Sequence, residues 1–227
     1  MNNFITAEGF EKTFRYVKLI QQGLLVTILL ALFTVIIGFV LGIVLAIMRM
    51  TDIRPFRFLA YGKDGRVRKS KLLIAISKFN PVAFLATAYV EIIRSTPVLV
   101  QILIIYHGVF GKLIDLPNFT LFGFLKFNRF FPGVVALGMN SGAYLCEIIR
   151  SGIQSIDGGQ TEAARSLGMT KTQTLVHIIL PQAIKNILPA IANEFVVIIK
   201  ESSITYTIGV QDLMFAVDAI RGANFIV

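Results

Sequence analysis

The feature that most limits the possible folds is a stretch of 25 consecutive residues without a charge, from Leu24 to Met48. As a helix rising about 1.5 Å per residue, it would span about 37 Å, enough to cross a hydrocarbon core of about 30 Å with some tilt. It is too long for the core of a signal peptide, and no small-residue cleavage site follows it. We therefore predict a membrane-spanning helix. Within it Gly38, Gly42 and Ala46 recur every four residues and offer a smooth face for close helix packing.

The composition of the whole chain agrees with a membrane protein. Of its 227 residues, 55% are hydrophobic and only 15% are charged, whereas soluble domains carry about 25% charged residues. A single cysteine excludes an internal disulfide, and with only two histidines we expect no metal site. Further apolar runs predict three more spans, which makes an all-α membrane protein with four visible spans near residues 24–48, 83–110, 130–149 and 183–199.

The placement of charge predicts the orientation of these spans. Residues 49–82 contain nine basic and two acidic side chains, so the positive-inside rule assigns this loop to the cytoplasm and the N-terminus to the outside. The loop at 150–181 is then also cytoplasmic. Residues 1–22 read as an amphipathic interfacial helix that leads into the first span. The net charge of +9 is explained by these loops, and nucleic acid is not an expected partner.

The second cytoplasmic loop has the local signals of two short helices. We predict that the first begins with Thr161 as its N-cap and ends at Gly168 in a left-handed conformation. Thr170 then starts a second helix, with Gln173 three positions later as in a capping box. Two helices meeting at a glycine corner form a compact projection that suits docking into a partner.

The spacing within this loop resembles a known family. It matches the EAA signature of importer-type ABC transporter permeases at Glu162, Ala163, Ala164, Gly168, Ile178, Leu180 and Pro181. The surrounding sequence is similar to the polar amino acid branch of that family over residues 20–215, in particular at residues 89–97, 140–144, 159–160, 181–183 and 193–195 and at Glu147 and Arg150.

This resemblance implies a single permease domain over 1–227 with a type I ABC importer-like helix bundle in a bacterial cytoplasmic membrane. It also implies that residues 150–181 form the loop that couples to a separate ATPase, which binds ATP and Mg. A second permease copy or paralogue, an external solute-binding protein, an amino acid substrate and the lipid bilayer are the other implied partners. Such permeases usually have a fifth span, which is expected but absent from this chain. The basic loop at 49–82 is longer than expected for this family. The extra length is either an interfacial insertion or a regulatory element.

The sequence offers no chemistry of its own to drive transport. It lacks a phosphate-binding loop of the Gly-x-x-x-x-Gly-Lys-Ser/Thr type, and no nucleophile, base and orienting group stand out. We therefore expect a permease subunit that is not an enzyme, binds no cofactor itself and depends on a partner for energy.

Polar residues within spans are the candidates for the substrate pathway, because lipid disfavours them. Asn140, Tyr144 and Glu147 share one helix face by their spacing, and Glu194 lies within the last span. The amide and hydroxyl groups suit an amino acid zwitterion. Glu147 either pairs a substrate ammonium or forms an ion pair with Arg150 or Arg94, and Glu194 contacts either a cationic substrate or a neighbouring helix.

Glu91 and Arg94 lie one helical turn apart and are predicted to form a structural intramembrane pair, either with each other or across helices.

Two other functions compete with an ATP-driven permease. An ion-coupled secondary transporter or channel subunit without an ATPase would need inverted repeats and no docking loop; the halves show no repeat, and the loop is present. A membrane anchor without a pathway would leave the polar face of the third span unexplained.

Overall fold

The computed structural model describes residues 16–60 and 70–224 of the chain, most of them in helices. The helices are α1 (Val17–Met50), α2 (Lys71–Lys78), α3 (Pro81–Ser95), α4 (Val98–Leu103), α5 (Phe127–Gln154), α6 (Gly158–Ser166), α7 (Lys171–Thr174), α8 (Leu180–Glu201) and α9 (Leu213–Asn224). Shorter elements are 3₁₀ turns at Arg57–Ala60 and Ser202–Ile208, and π-helical turns at Ile104–Val109 and Leu175–Ile179. The strands β1 (Thr120–Leu121) and β2 (Leu125–Lys126) form a small antiparallel hairpin in which Thr120 faces Lys126. The predicted all-α class is confirmed apart from this hairpin.

The four predicted spans all coincide with helices. The stretch 24–48 lies within α1, 130–149 within α5 and 183–199 within α8. The stretch 83–110 is interrupted because α3 ends at Ser95 and α4 begins at Val98, on either side of Pro97, which lacks an amide hydrogen. The predicted interfacial helix at 1–22 lies largely outside the described residues, and its last residues form the start of α1.

Length and apolar composition alone identify fewer spans than the sequence pattern. Among the described residues, two helical segments are long and apolar enough to cross a membrane, Val17–Met50 and Lys171–Ile208. A third results if α2 and α3, which meet at 73°, count as one span. Four spans and an outside N-terminus therefore stay predictions.

The chain divides into two compact units, each with its own apolar core. The first unit comprises the described parts of Met1–Gly38, Thr96–Ser141 and Ile191–Val227, and the second comprises those of Phe39–Ser95 and Gly142–Ala190. Buried core residues of the first unit include Val26, Leu30, Ile102, Phe130, Leu137 and Val210. Those of the second unit are Leu45, Ala46, Ala86, Val90, Ala143 and Cys146. The predicted single domain over 1–227 stays a prediction.

Small residues allow α1 and α5 to approach closely within the second unit. A Cβ atom added to Gly42 would lie only 2.8 Å from Cβ of Leu145 and 3.1 Å from the backbone nitrogen of Cys146. Ala46, one turn further along α1, is buried in the same core. At Gly42 and Ala46, the smooth face predicted from the spacing of Gly38, Gly42 and Ala46 is thus a helix-packing surface, where a larger side chain would force the helices apart.

Candidate functional site

The first helix of the EAA loop, in the second unit, begins earlier than the sequence suggested. Helix α6 starts at Gly158, and its N-cap is Asp157, whose carboxylate accepts a hydrogen bond of 2.7 Å from the Gly159 amide. The prediction that Thr161 caps this helix was therefore wrong. Asp157 and Thr161 both have good capping side chains, and the helix uses the earlier one, which leaves Thr161 within α6.

The glycine corner has the geometry that was predicted. Gly168 has φ of +85°, in the left-handed region that favours glycine. Its amide donates to the Arg165 carbonyl at 3.0 Å, and the Met169 amide donates to the Ala164 carbonyl at 3.1 Å. This pair of hydrogen bonds is a Schellman motif, which satisfies the last carbonyls of α6 and fixes the direction in which the chain leaves it.

The capping box after the corner is also present. The hydroxyl of Thr170 accepts from the Gln173 amide, and the Gln173 side chain accepts from the Thr170 amide. The second helix is not a separate short element, because α7 continues through the π-helical turn Leu175–Ile179 into α8. A segment that is continuous with a long helix can transmit a displacement along that helix.

The corner exposes an apolar side chain that the sequence analysis did not select. Leu167 is 85% exposed, directly before Gly168. Glu162 and Ala163 are exposed on the same projection, whereas Ala164 is buried beneath them. Ile178 and Leu180 are half-buried and Pro181 is exposed. The signal for Leu167 was its position between a helix end and a left-handed glycine, where a leucine has little to pack against.

A cluster of charges surrounds Glu147 at the ends of α1, α3 and α5 in the second unit. Its carboxylate accepts hydrogen bonds from Arg49 Nη1 at 2.7 Å and from Arg150 Nε at 2.8 Å. Arg94 Nη1 lies 3.7 Å from the same carboxylate. The side chains of Glu147 and Arg49 are only 18% and 13% exposed. Glu147 therefore joins α5 to the end of α1, and its charge is more than balanced by arginine.

The predicted pair between Glu91 and Arg94 takes a different form. Glu91 is exposed, and no ion pair joins it to Arg94 in the ranges that the structure describes. Arg94 instead contacts Glu147, and its guanidinium carbon lies 5.2 Å from the centre of the Tyr144 ring. Arg94 therefore contacts another helix rather than its own neighbour one turn away, which was the second arrangement that the sequence analysis allowed.

A second polar group lies in the first unit. Asn140 is 5% exposed, and its Nδ2 donates to Gln101 Oε1 at 3.1 Å. Gln101 is 7% exposed and also donates from Nε2 to the Thr96 carbonyl at 2.9 Å, beside the break at Pro97. Glu194, on α8, is 9% exposed, and Ser141, which follows Asn140, is 2% exposed, with no hydrogen-bond partner for its hydroxyl in the part of the chain that the structure describes. Amides, a hydroxyl and a carboxylate are thus buried in one unit.

The four residues predicted for the pathway fall into these two groups. Asn140 and Glu194 belong to the first unit, and Tyr144 and Glu147 belong to the second. Gln101 and Arg49 were not predicted, although a single glutamine in the apolar run after Pro97 is the kind of residue that marks a site within a membrane. Among the described residues, no group of three or more metal-ligating side chains is close enough to hold a metal ion.

The chain is similar to known transport proteins. The family described as "Binding-protein-dependent transport system inner membrane component" matches residues 72–227. The chain is 37% identical over 205 residues to the arginine transport system permease protein ArtQ of Bacillus subtilis (strain 168), covering 90% of this chain and 77% of the relative. It is 35% identical over 207 residues to the probable glutamine ABC transporter permease protein GlnM of the same organism, covering 91% and 79%.

The chain is also similar to a solved structure. The crystal structure of an amino acid ABC transporter with histidines superposes with a TM-score of 0.75 at 39% identity, covering 95% of this chain and 84% of that one.

Proposed function

This chain belongs to the family of binding-protein-dependent transport system inner membrane components, and we propose that it forms half of the pathway by which a polar amino acid enters a bacterial cell. It is a permease subunit of an amino acid ABC importer, with the transmembrane fold of such subunits, and not an enzyme. The finer proposal is that the loop at 150–181 docks on a cytoplasmic ATPase and that a buried polar group recognises the substrate.

The observation that carries the coupling proposal is the exposed, rigid corner between α6 and α7. Its shape is fixed by the Schellman motif at Gly168 and by the capping box at Thr170. Leu167 projects from it with 85% of its surface exposed. A rigid corner with a central apolar anchor loses little conformational entropy on docking, which favours binding in a partner's groove.

A pull-down in mild detergent tests this proposal. Wild type and the variants Gly168→Asp and Leu167→Ala would be purified from their membranes, and the accompanying subunits identified by mass spectrometry. We expect a nucleotide-binding subunit with wild type, and its loss from both variants. Leu113→Ala is the matched control, since Leu113 is 79% exposed in the first unit and is expected to retain the ATPase. Retention of the ATPase by both loop variants would refute docking through this corner.

The proposed pathway residues are Asn140, Gln101 and Glu194 in the first unit. The two amides can donate to a carboxylate and accept from an ammonium, and Glu194 supplies a negative charge. No cation pairs with Glu194 among the described residues. We propose that the ammonium group of an amino acid, or a cationic side chain, is the ligand of this carboxylate.

The remaining partners follow from an importer of this kind. One permease chain lines half of a pathway, so a second copy or a paralogue completes it. An external solute-binding protein delivers the substrate, and ATP with Mg binds to the ATPase. The competing function, an ion-coupled carrier, is favoured if no ATPase accompanies a stable and monodisperse chain in the pull-down.

A further inference from the structure

The basic segment after α1 forms a cleft together with α2 in the second unit. The 3₁₀ turn Arg57–Ala60 contacts α2, and between them lies a cleft of about 600 Å³. Arg54, Arg57 and Lys78 line it, with Asp52 and the buried residue Ser77. Neither the coupling corner nor the buried polar group involves these residues.

Hydrogen bonds hold the cleft in place. The side chain of Asn80 donates to the Thr51 carbonyl at 2.5 Å and accepts from the Ala83 amide at 3.0 Å. Asn80 therefore ties the start of the basic segment to the bend between α2 and α3. The Ser77 hydroxyl donates to the Ile74 carbonyl, so it is satisfied within its own helix. The hydrogen bonds of Asn80 therefore fix the shape of the cleft.

The charge of the cleft is positive. Asp52 forms an ion pair with Arg54. Arg57 and Lys78 have no carboxylate partner within residues 16–60 and 70–224. These two cations can therefore bind an anion. The whole segment 49–82 is basic, because its 34 residues contain nine basic and two acidic side chains.

An apolar surface lies on the face of α2 opposite the cleft. On α2, Ile74, Ser77 and Lys78 line the cleft, whereas Leu72 and Ile76, one turn apart, are 70% and 37% exposed. Phe58, which follows Arg57, is 67% exposed. A helix with one apolar and one cationic face, joined to a predicted span, suits the boundary between headgroups and acyl chains.

We propose that this cleft binds the phosphate of an anionic phospholipid headgroup in the cytoplasmic leaflet. Arg57 and Lys78 contact the phosphate at the level of the headgroups, while the opposite face of α2, with Leu72 and Ile76, rests on the acyl region of the leaflet. A free phosphate would not explain why the opposite face of the same helix is apolar, whereas a helix lying on the membrane places the cleft among lipid headgroups, so we commit to a lipid. The leaflet depends on the proposed orientation, but the binding itself depends on neither the proposed ATPase nor the substrate.

Native mass spectrometry of the full chain, with whatever subunits accompany it, tests this proposal. The delipidated sample would be titrated with phosphatidylglycerol or with phosphatidylcholine. We expect phosphatidylglycerol to bind more tightly, and the double variant Arg57→Gln/Lys78→Gln to weaken that binding about tenfold. The charge-preserving variant Arg57→Lys/Lys78→Arg should retain it. Excess inorganic phosphate should not displace the lipid.

A second double variant separates a defined cleft from diffuse charge. Lys112→Gln/Lys126→Gln removes the same charge at exposed positions of the first unit, and we expect binding within about twofold of wild type. Equal losses in both double variants would overturn the proposal, as would equal binding of the two lipids by wild type or displacement by phosphate. The comparison of lipids on wild type needs no variant, so it stands even if a variant does not assemble.

Discussion

Glu147 and Glu194 are both carboxylates within long helices, but their surroundings differ. Glu147, in the second unit, accepts hydrogen bonds from Arg49 and Arg150. Glu194, in the first unit, is more deeply buried, with 9% of its surface exposed. No arginine or lysine forms an ion pair with Glu194 in the part of the chain that the structure describes.

The difference shows how environment, rather than residue type, assigns a role. A charge in an apolar medium is costly unless it is paired and hydrogen-bonded. Glu147 already has its partners within the protein, so it joins helix ends and is poorly placed to bind a ligand. Glu194 lacks a described cation, so a cationic ligand would lower the free energy of the first unit. We therefore favour the structural role for Glu147 and the pathway role for Glu194.

The largest effect is expected for Glu147→Gln. It leaves the positive charges of Arg49 and Arg150 facing each other without an anion, in a partly buried site. We expect the free energy of unfolding to fall by about 2 kcal/mol, less than for a fully buried pair, measured as a lower melting temperature of the purified assembly. Glu91→Gln, at an exposed position of the same unit, is the control and should change little. An unchanged melting temperature with altered substrate selectivity would place Glu147 in the pathway.

The opposite pattern is expected for Glu194→Gln. Uptake of a labelled amino acid into proteoliposomes should fall about tenfold or more, since a charge-assisted contact to the substrate is lost. The melting temperature should stay the same or rise, because a buried carboxylate without a described cation is removed. Asp115→Asn, at an exposed position of the first unit, should leave uptake unchanged. A variant that disassembles but transports normally when stabilised would assign Glu194 a structural role.

The sequence predicted those features that depend on near neighbours. The left-handed Gly168, the capping box of Thr170 and Gln173 and the break at Pro97 are each determined within about four residues, and each is present. Where two local signals competed, as at Asp157 and Thr161, the sequence alone gave the wrong cap.

The partners of the buried polar groups were not predictable in this way. Arg49 and Glu147 are 98 positions apart, and Gln101 and Asn140 are 39 apart. Helical periodicity places Asn140 and Glu147 on one face, but it does not say which helix packs against that face. Only the packing of α1 and α5, made close by Gly42, shows that Arg49 reaches Glu147.

A smaller loss of stability is expected for Arg49→Gln. Arg49 Nη1 lies 2.7 Å from the Glu147 carboxylate, and the Arg49 side chain is 13% exposed. Since Arg150 still pairs with Glu147, we expect the free energy of unfolding to fall by about 1 kcal/mol. A double-mutant cycle with Glu147→Gln isolates the pair, and it should show clear coupling. Additive effects of the two substitutions would mean that the hydrogen bond contributes little.

The smallest effect is expected for Arg94→Gln. Arg94 is 3.7 Å from Glu147 and 41% exposed, so solvent screens the ion pair. Its contact with the Tyr144 ring adds little at an exposed site. We expect a change in the free energy of unfolding of about 0.5 kcal/mol or less, with weak coupling to Glu147 in the same cycle. A loss as large as that of Arg49→Gln would mean that the three arginines share the carboxylate evenly. Glu147 would then join the ends of α1, α3 and α5 together rather than mainly those of α1 and α5.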